Sequence, residues 1–375
     1  MPRYVYIGNH DNRLLLDLDH PACLELLRRD AAEYVEEAPD PRSAWVTGHG
    51  GHYLHEYVLR LPLGSAEESH PQRAGRFVRG LDPVRRMRFP GEGVIYLKLY
   101  GPATFQNDLL FALQQLLEEC GSPSWFYVRY QDPDNHLRVR IFSDEGELMD
   151  RFSREARRYA DYGFLRRWCI DTYEPEFERY GGEKGLAVCE EIFCLETRAL
   201  LNLLSLKPAL PLDELALCSI DTLLEGLGMS AKDRYNLYRS LAKAHLQDLG
   251  QKGKEKTRQW RREFGHARTR LWQLMAWCRG GTVGSEPPAD QLANWHRDFK
   301  TLLRPPARAL QDMEQRQELL YPLGHILASL IHMHANRLGL SQDEEYRVIH
   351  FLYALYDGFR HHIPTTLPLE GWEKA

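Results

Sequence analysis

The stretch WFYVRYQDPDNHLRVRIF, residues 125–142, decides the reading of this chain. Trp125–Tyr130 and Leu137–Phe142 are rich in aromatic and β-branched residues, and QDPDNH at 131–136 is a turn sequence between them, so the stretch predicts two adjacent strands. Successive side chains on a strand point to opposite faces, which puts His136, Arg138 and Arg140 on one face and Leu137 and Val139 on the other. Two arginines on one face of a central strand are costly to bury unless anions meet them, and a carboxylate suits the guanidinium fork. The alternative is an edge strand with a solvated polar face. Trp125, Phe126 and Tyr127 read as core aromatics.

Working outward, Val94–Tyr100 reads as a strand, and Phe105–Glu119 as a helix with Leu109, Leu110, Leu113 and Leu116 on one face. Glu145–Tyr159 reads as a second helix and Arg166–Tyr173 as a further strand. The order β-α-β-β-α-β predicts a ferredoxin-like mixed sheet with two helices on one face. After Gly182 the strands stop. Glu183–Leu204, Leu212–Leu227, Ala231–Leu249, Lys254–Cys278, Ala289–Leu303, Pro306–Leu319, Tyr321–Leu338 and Ser341–His361 all read as helices, punctuated by prolines such as Pro211, Pro305 and Pro322. Upstream, residues 1–75 form a β-rich segment. Tyr4–Ile7 and Leu14–Leu18 flank an HDNR turn, and Trp45–Thr47 and Tyr53–Leu63 flank GHGG. Residues 76–92 close a Gly-, Pro-, Arg- and Ser-rich connector, and 93–375 make the main domain. The class is α+β: a β-rich N-terminal piece, the sheet, then a helical C-terminal half.

Composition narrows the function. Among 375 residues, 43% are hydrophobic and 27% charged, and the formal charge is −5, so a large core forms and nothing draws the chain generally to nucleic acid or anionic membrane. Only residues 250–270 offer a local basic patch. No apolar run of membrane-spanning length and no signal-peptide core is present, which fits a cytoplasmic protein. The seven cysteines have no C-x-x-C spacing, so a structural zinc site or disulfide framework is not expected and the thiols read as reduced and mostly buried. G-x-G-x-x-G, Walker A and G-x-S-x-G are missing, which removes support for dinucleotide, phosphoryl-transfer and serine-hydrolase chemistry.

Two further segments carry chemistry. In YEPEFERYGG, 173–182, Glu176 and Arg179 stand three apart and face one pocket if the turn is helical, while the double glycine permits an unusual backbone. The alternative is a surface ion pair. In HMHANRL, 332–338, His332 and Asn336 share a helix face with Ser329, and a histidine there can move a proton near neutral pH. A satisfied core histidine is the alternative. His325, His350, His361 and His362 form no metal motif and read as surface or cap residues.

These segments, in this order and at these intervals, resemble the C-terminal domain of class I lanthipeptide dehydratases, also called the thiopeptide-type bacteriocin biosynthesis domain. VIYLKLYGP at 94–102 looks like its opening strand and EEIFCLETRALLNLL at 190–204 like its helix after the double glycine. The resemblance covers roughly 90–365. PRYVYIGNHDNRLLLDLDHP and HYLHEYVLRLPL are similar to the close of the family's upstream glutamylation domain, most of which has no counterpart here. The resemblance implies a split lyase that expels glutamate from glutamylated Ser or Thr of a precursor peptide, leaving dehydroalanine or dehydrobutyrine. It implies a separate tRNA-dependent glutamylating partner; the chemistry requires no cofactor or metal, and the charge balance and lack of a spanning run give no expectation of direct nucleic-acid or membrane contact. It carries catalytic roles to Arg138, Arg140, Glu176, Arg179 and His332, with His334 a close competitor for the last, and His136, Tyr180 and Asn336 stand as substrate-binding candidates. Glutamate leaves as a carboxylate, which arginines can hold, and the weakly acidic α-proton needs a base. Glu176 is read either as orienting Arg179 or as transferring a proton. Two other readings stay open: a pyridine synthase joining two dehydroalanines by formal [4+2] cycloaddition, and a non-catalytic partner delivering substrate to a glutamylating enzyme. Oligomeric state, a homodimer included, is open too.

Overall fold

A computed structural model describes residues 3–9, 12–29, 35–38, 45–48, 51–54, 87–143, 146–206, 210–278 and 289–361. The chain divides into two units, Met1–Gln72 and Arg73–Ala375. In the first, β1 (Tyr4–Asn9) and β2 (Asn12–Asp17) pair antiparallel, Tyr4 opposite Asp17, as the HDNR turn implies. Helix α1 (Pro21–Arg29), which the sequence reading missed, supplies Cys23 and Leu27 to a small core around Val5, Ile7 and Leu16. Strand β3 (Val35–Glu37) pairs with β1. β4 (Trp45–Gly48) and β5 (Gly51–Leu54) form a separate hairpin around the glycines. The rest of the Tyr53–Leu63 run and most of the 65–92 connector lie outside the described residues.

The second unit is built on one sheet. Along the chain come β6 (Ile95–Tyr100), α2 (Gln106–Glu119), β7 (Ser124–Tyr130), β8 (His136–Phe142), α3 (Gly146–Asp161) and β9 (Arg167–Asp171). The strand order is β7-β8-β6-β9. Every neighbouring pair is antiparallel, so the expected mixed sheet is wholly antiparallel. The reason is topological: each helical crossover joins strands that run parallel but are not neighbours, and an antiparallel strand fills the slot between them. β8 is interior, not an edge. Its Leu137, Val139 and Ile141 are at most 1% exposed and meet Leu109 and Leu113 of α2 and Phe152 of α3 on one face. Phe126 and Tyr127 are buried as expected, and Trp125 packs at the core margin.

The helical half comprises α4 (Glu183–Ser205), α5 (Leu212–Gly226), α6 (Ala231–Asp248), α7 (Gly253–Cys278), α8 (Ala289–Gln315), α9 (Leu323–Leu338) and α10 (Gln342–His361). Two helices expected to break at Pro305 are one, α8, with Pro305 and Pro306 inside it. Leu303, Ala307 and Leu310 on either side are buried, so packing holds the helix through the missing hydrogen bonds. The cysteines also differ from expectation: Cys189 and Cys218 are buried, four are partly buried and Cys169 is exposed. No helix among the described residues is long and apolar enough to cross a membrane.

Apolar packing joins the sheet to the helices, with Phe126 of β7 against Phe193 of α4, and a polar clamp fixes the edge. β7 is an edge strand, and α9 covers its free side. Asn336 acts as a strand mimic: its Oδ1 accepts from the Arg129 N–H and its Nδ2 donates to the Arg129 carbonyl, each at 2.9 Å. Arg337 donates Nε–H to the Tyr127 carbonyl at 3.1 Å, and its own carbonyl accepts from the Tyr127 hydroxyl at 2.9 Å. Arg337 Nη1 pairs with Glu196 of α4 at 2.8 Å, and the other Glu196 oxygen lies 2.7 Å from His334 Nδ1. All three side chains are fully buried. Glu196→Ala strands a buried guanidinium and is expected to cost about 3–5 kcal/mol. Urea unfolding checks this against Glu119→Ala, which loses only an exposed ion pair with Arg151 and should cost far less.

Candidate active site

His136, Arg138 and Arg140 lie on the β8 face turned away from α2 and α3. Register places Tyr100 and Tyr130 opposite His136, Lys98 opposite Arg138, and Tyr96 and Phe126 opposite Arg140. The two cations are therefore walled by rings. The Arg138 guanidinium sits 3.3 Å from the Tyr130 centroid. That of Arg140 is 4.4 Å from Tyr96, 5.4 Å from Tyr173 and 5.5 Å from Phe126. Such rings favour a cation while excluding water. Arg140 Nη1 donates to the Arg138 carbonyl at 3.3 Å, and its Nε is buried without a partner. Burial pulls the Arg140 pKa down, and Arg138 adds to this, while Tyr96, Tyr173 and Glu176 oppose it. Neither Arg138 nor Arg140 has a carboxylate within ion-pair distance among the described residues. Nearby Asp171 is taken by Lys98.

His136 aims Arg138. Its Nδ1 lies 2.8 Å from the Asp134 carbonyl, which can only accept, so Nδ1 carries the proton. Nε2 is left to accept from Arg138 Nε–H at 3.2 Å. Burial lowers the His136 pKa, and the charges of Arg138, Lys98 and Arg167 lower it further, which keeps the ring in this neutral tautomer.

The 173–182 segment alternates. Tyr173, Phe177 and Tyr180 are buried, and Glu176 and Arg179 face out. Glu176 and Arg179 pair at 3.1 Å, and Arg179 Nε donates to Ser329 Oγ of α9 at 3.3 Å. Glu176 is near enough to Arg140 to favour its charge. Tyr180 packs edge-on against Phe193. The double glycine is required here: Gly181 has φ +84°, and a Cβ on it would stand 2.8 Å from Ile326 Cδ1. Tyr173 donates its hydroxyl to Glu190 of α4 at 2.5 Å, and burial pushes the Glu190 pKa up.

On α9, one turn beyond Ser329, His332 Nδ1 lies 2.9 Å from Glu345 Oε2 of α10. The His332 side chain is 49% exposed and that of Glu345 only 8%. His334 is sealed instead, with its ring nitrogens on Glu196 and on Ser219 Oγ at 2.9 Å. Thus His136, Arg138 and Arg140 come together, Glu176 and Arg179 reach α9 through Ser329, Tyr180 lies in the core, and the Asn336 amide is engaged by β7.

Sequence reading missed Tyr96, Tyr130, Tyr173 and Glu345. The strand parity of VIYLKLY could have found Tyr96; Glu345 needs the α9–α10 contact. His350, expected as a surface or cap residue, instead lines a cavity of about 330 Å³ between α6, α7 and α10. It packs on Trp260, and burial brings its pKa down to about 4.

The family model described as lantibiotic biosynthesis dehydratase C-term matches residues 95–356, which contain all eight candidate residues. Nisin biosynthesis protein NisB of Lactococcus lactis subsp. lactis is 27% identical over 228 residues, 55% of this chain but 22% of NisB. The solved structure of MibB, a tRNA-dependent lantibiotic dehydratase from Microbispora sp. 107891, is 22% identical with a TM-score of 0.58, covering 97% of this chain and 37% of MibB. That of TbtD, a pyridine synthase from thiomuracin biosynthesis, is 14% identical with a TM-score of 0.52, covering 71% of this chain and 98% of TbtD. The two structures share the fold, and this chain spans well under half the length of NisB and MibB. With the family model matched over most of its length, the chain belongs to the lantibiotic biosynthesis dehydratase C-terminal family.

Proposed function

We propose that this chain is a glutamate-eliminating lyase acting on glutamylated Ser or Thr of a ribosomally made precursor peptide, with a separate tRNA-dependent protein supplying the glutamyl ester. One observation carries the reading: Arg138 and Arg140 are ring-walled, partly desolvated cations with no carboxylate of their own among the described residues. Such a pair is incomplete until an anion arrives, and released glutamate carries two carboxylates. NisB and MibB are named for lantibiotic biosynthesis and dehydration, which agrees with this chemistry.

In the elimination, a base takes the α-proton, the Cα–Cβ double bond forms, the Cβ–O bond breaks and glutamate leaves as a carboxylate. His332 is the base on this reading. Buried Glu345 holds its Nδ1–H, so Nε2 keeps a lone pair, and about half of the side chain is exposed. Arg138 and Arg140 bind the glutamyl group and the charge that develops on the leaving oxygen. Arg179, steadied by Glu176 and Ser329, closes the site from the α9 side. His136 orients Arg138, Tyr180 supports the site through packing, and Asn336 supports it through its hydrogen bonds to β7.

A second reading rests on the near-complete coverage of TbtD, 98% of its length, by this chain. It is cycloaddition of two dehydroalanines, and a dehydrated peptide converted to a six-membered nitrogen heterocycle would establish it. Binding of precursor peptide that survives loss of Arg138 and His332, with no turnover, would mark a delivery partner instead.

Mass spectrometry of a glutamylated Ser peptide incubated with the protein tests the elimination. Release of glutamate with formation of dehydroalanine is expected. Arg138→Ala should lower kcat/KM by ~10²–10³-fold, and Arg138→Lys should recover little because the fork is lost. His332→Ala should lower kcat by ~10²–10⁴-fold. A folded protein that releases no glutamate from several such peptides contradicts the proposal.

The pH response has a defined sign. A histidine with a lowered pKa is neutral when folded, so acid protonates the unfolded chain first, and stability held above the ordinary histidine pKa is lost as pH falls toward the lowered one. Protonated His136 also offers Arg138 a positive N–H where it had an acceptor. KM for the glutamylated peptide should therefore rise as pH falls below the ordinary histidine pKa, and rise less in His136→Gln, whose amide oxygen accepts at any pH. Equal rises in both proteins would remove His136 from this role.

A further inference from the structure

Away from the sheet, three helices bring together side chains that neither the family resemblance nor the proposed elimination uses. Cys218 of α5, Cys278 at the end of α7 and His296 of α8 each place a ligand-capable atom within 4.8 Å of the other two. Cys218 and His296 are 1% exposed, and Cys278 is partly buried. The cysteines have no metal-type spacing in sequence because each comes from a different helix.

Hydrogen bonds fix the state of the histidine. Thr222, one turn after Cys218, donates its Oγ1 proton to the Cys218 carbonyl at 2.8 Å. A hydroxyl has one proton, so the 2.6 Å contact between Thr222 Oγ1 and His296 Nδ1 is made with Nδ1–H donating. Nε2 then carries a lone pair, and it is buried with no hydrogen-bond partner. A sealed imidazole with one nitrogen tied back to a hydroxyl, the other free, and two thiols beside it has the layout of a metal ligand oriented by its outer shell.

We infer that Cys218, Cys278 and His296 bind a soft divalent cation of the zinc class. Binding removes one proton from each thiol, and the two thiolates cancel the ion's charge, so the buried site is neutral. Imidazole is the third ligand, and a water or other small donor completes a tetrahedron. The last residue of α7 is thereby tied to α5 and α8, the helix it precedes in the chain. The ion's role is structural, since the cysteines and histidine sit within the helical core, and Arg138, Arg140 and His332 do not touch it.

The test uses the whole chain, purified reduced and without chelator. Elemental analysis should find close to one zinc per chain. Cobalt(II) added to the stripped protein should give thiolate-to-cobalt charge-transfer bands and the intense visible bands of a tetrahedral site. Cys218→Ser, Cys278→Ser and His296→Gln should each abolish those bands, and Cys169→Ser, at an exposed cysteine, should leave them intact. Thr222→Val, which releases the imidazole but keeps its shape, should weaken cobalt binding by ~10–100-fold. Wild-type protein that is folded and reduced yet holds no zinc and gives no cobalt bands overturns the inference. So does a Cys218–Cys278 disulfide in freshly purified protein that persists under mild reduction.

Discussion

Everything in the larger unit depends on the two-sidedness of β8. Its odd-numbered residues, Leu137, Val139 and Ile141, are sealed under α2 and α3, and this burial anchors the strand in the middle of the sheet. Because side chains alternate, the same constraint forces His136, Arg138 and Arg140 onto the opposite face. A slip of one residue would bury the guanidinium groups in the apolar core and expose the aliphatic side chains, so packing on one face holds the chemistry on the other in place. The interior position of β8 also flanks both cations with side chains from β6 and β7, which leaves them only partly exposed.

The helical half completes what the sheet begins. Aromatic rings from β6, β7 and the 173–182 segment wall the arginines, and the segment itself reaches α9 through Arg179 and Ser329. The clamp of Asn336 and Arg337 on β7 then sets where α9 stands relative to the sheet, and so where His332 stands. The two histidines of this helix divide by environment. His334 is consumed by a buried network with Glu196, whereas His332 keeps one face to solvent and a carboxylate behind it. On the proposed reading that division separates a structural residue from a proton acceptor.

Much of this was legible from sequence where the signal is local. The hairpin of β7 and β8, the face shared by His136, Arg138 and Arg140, and the helix bounds of α4 to α7 follow from alternation, turn residues and prolines. What escaped was decided by tertiary contacts. Pro305 and Pro306 looked like a helix end, but apolar packing on both sides carries α8 through them. Asn336 looked free to bind substrate, yet an edge strand reached it first. His350 looked like a surface or cap residue, yet it lines a cavity with residues of α6 and α7. Antiparallel pairing throughout the sheet was hidden because crossover helices leave the neighbour relations of strands unstated.

The central claim is that Arg138 and Arg140 form a receptor awaiting a carboxylate. Calorimetry with a peptide carrying an uncleavable glutamyl amide, set against its glutaminyl counterpart, measures it most directly. The account predicts that the carboxylate form binds at least ~10-fold more tightly, about 1.4 kcal/mol, and that this preference disappears when Arg140 is replaced by Met. Equal affinity for the charged and neutral peptides in the wild-type protein would contradict it.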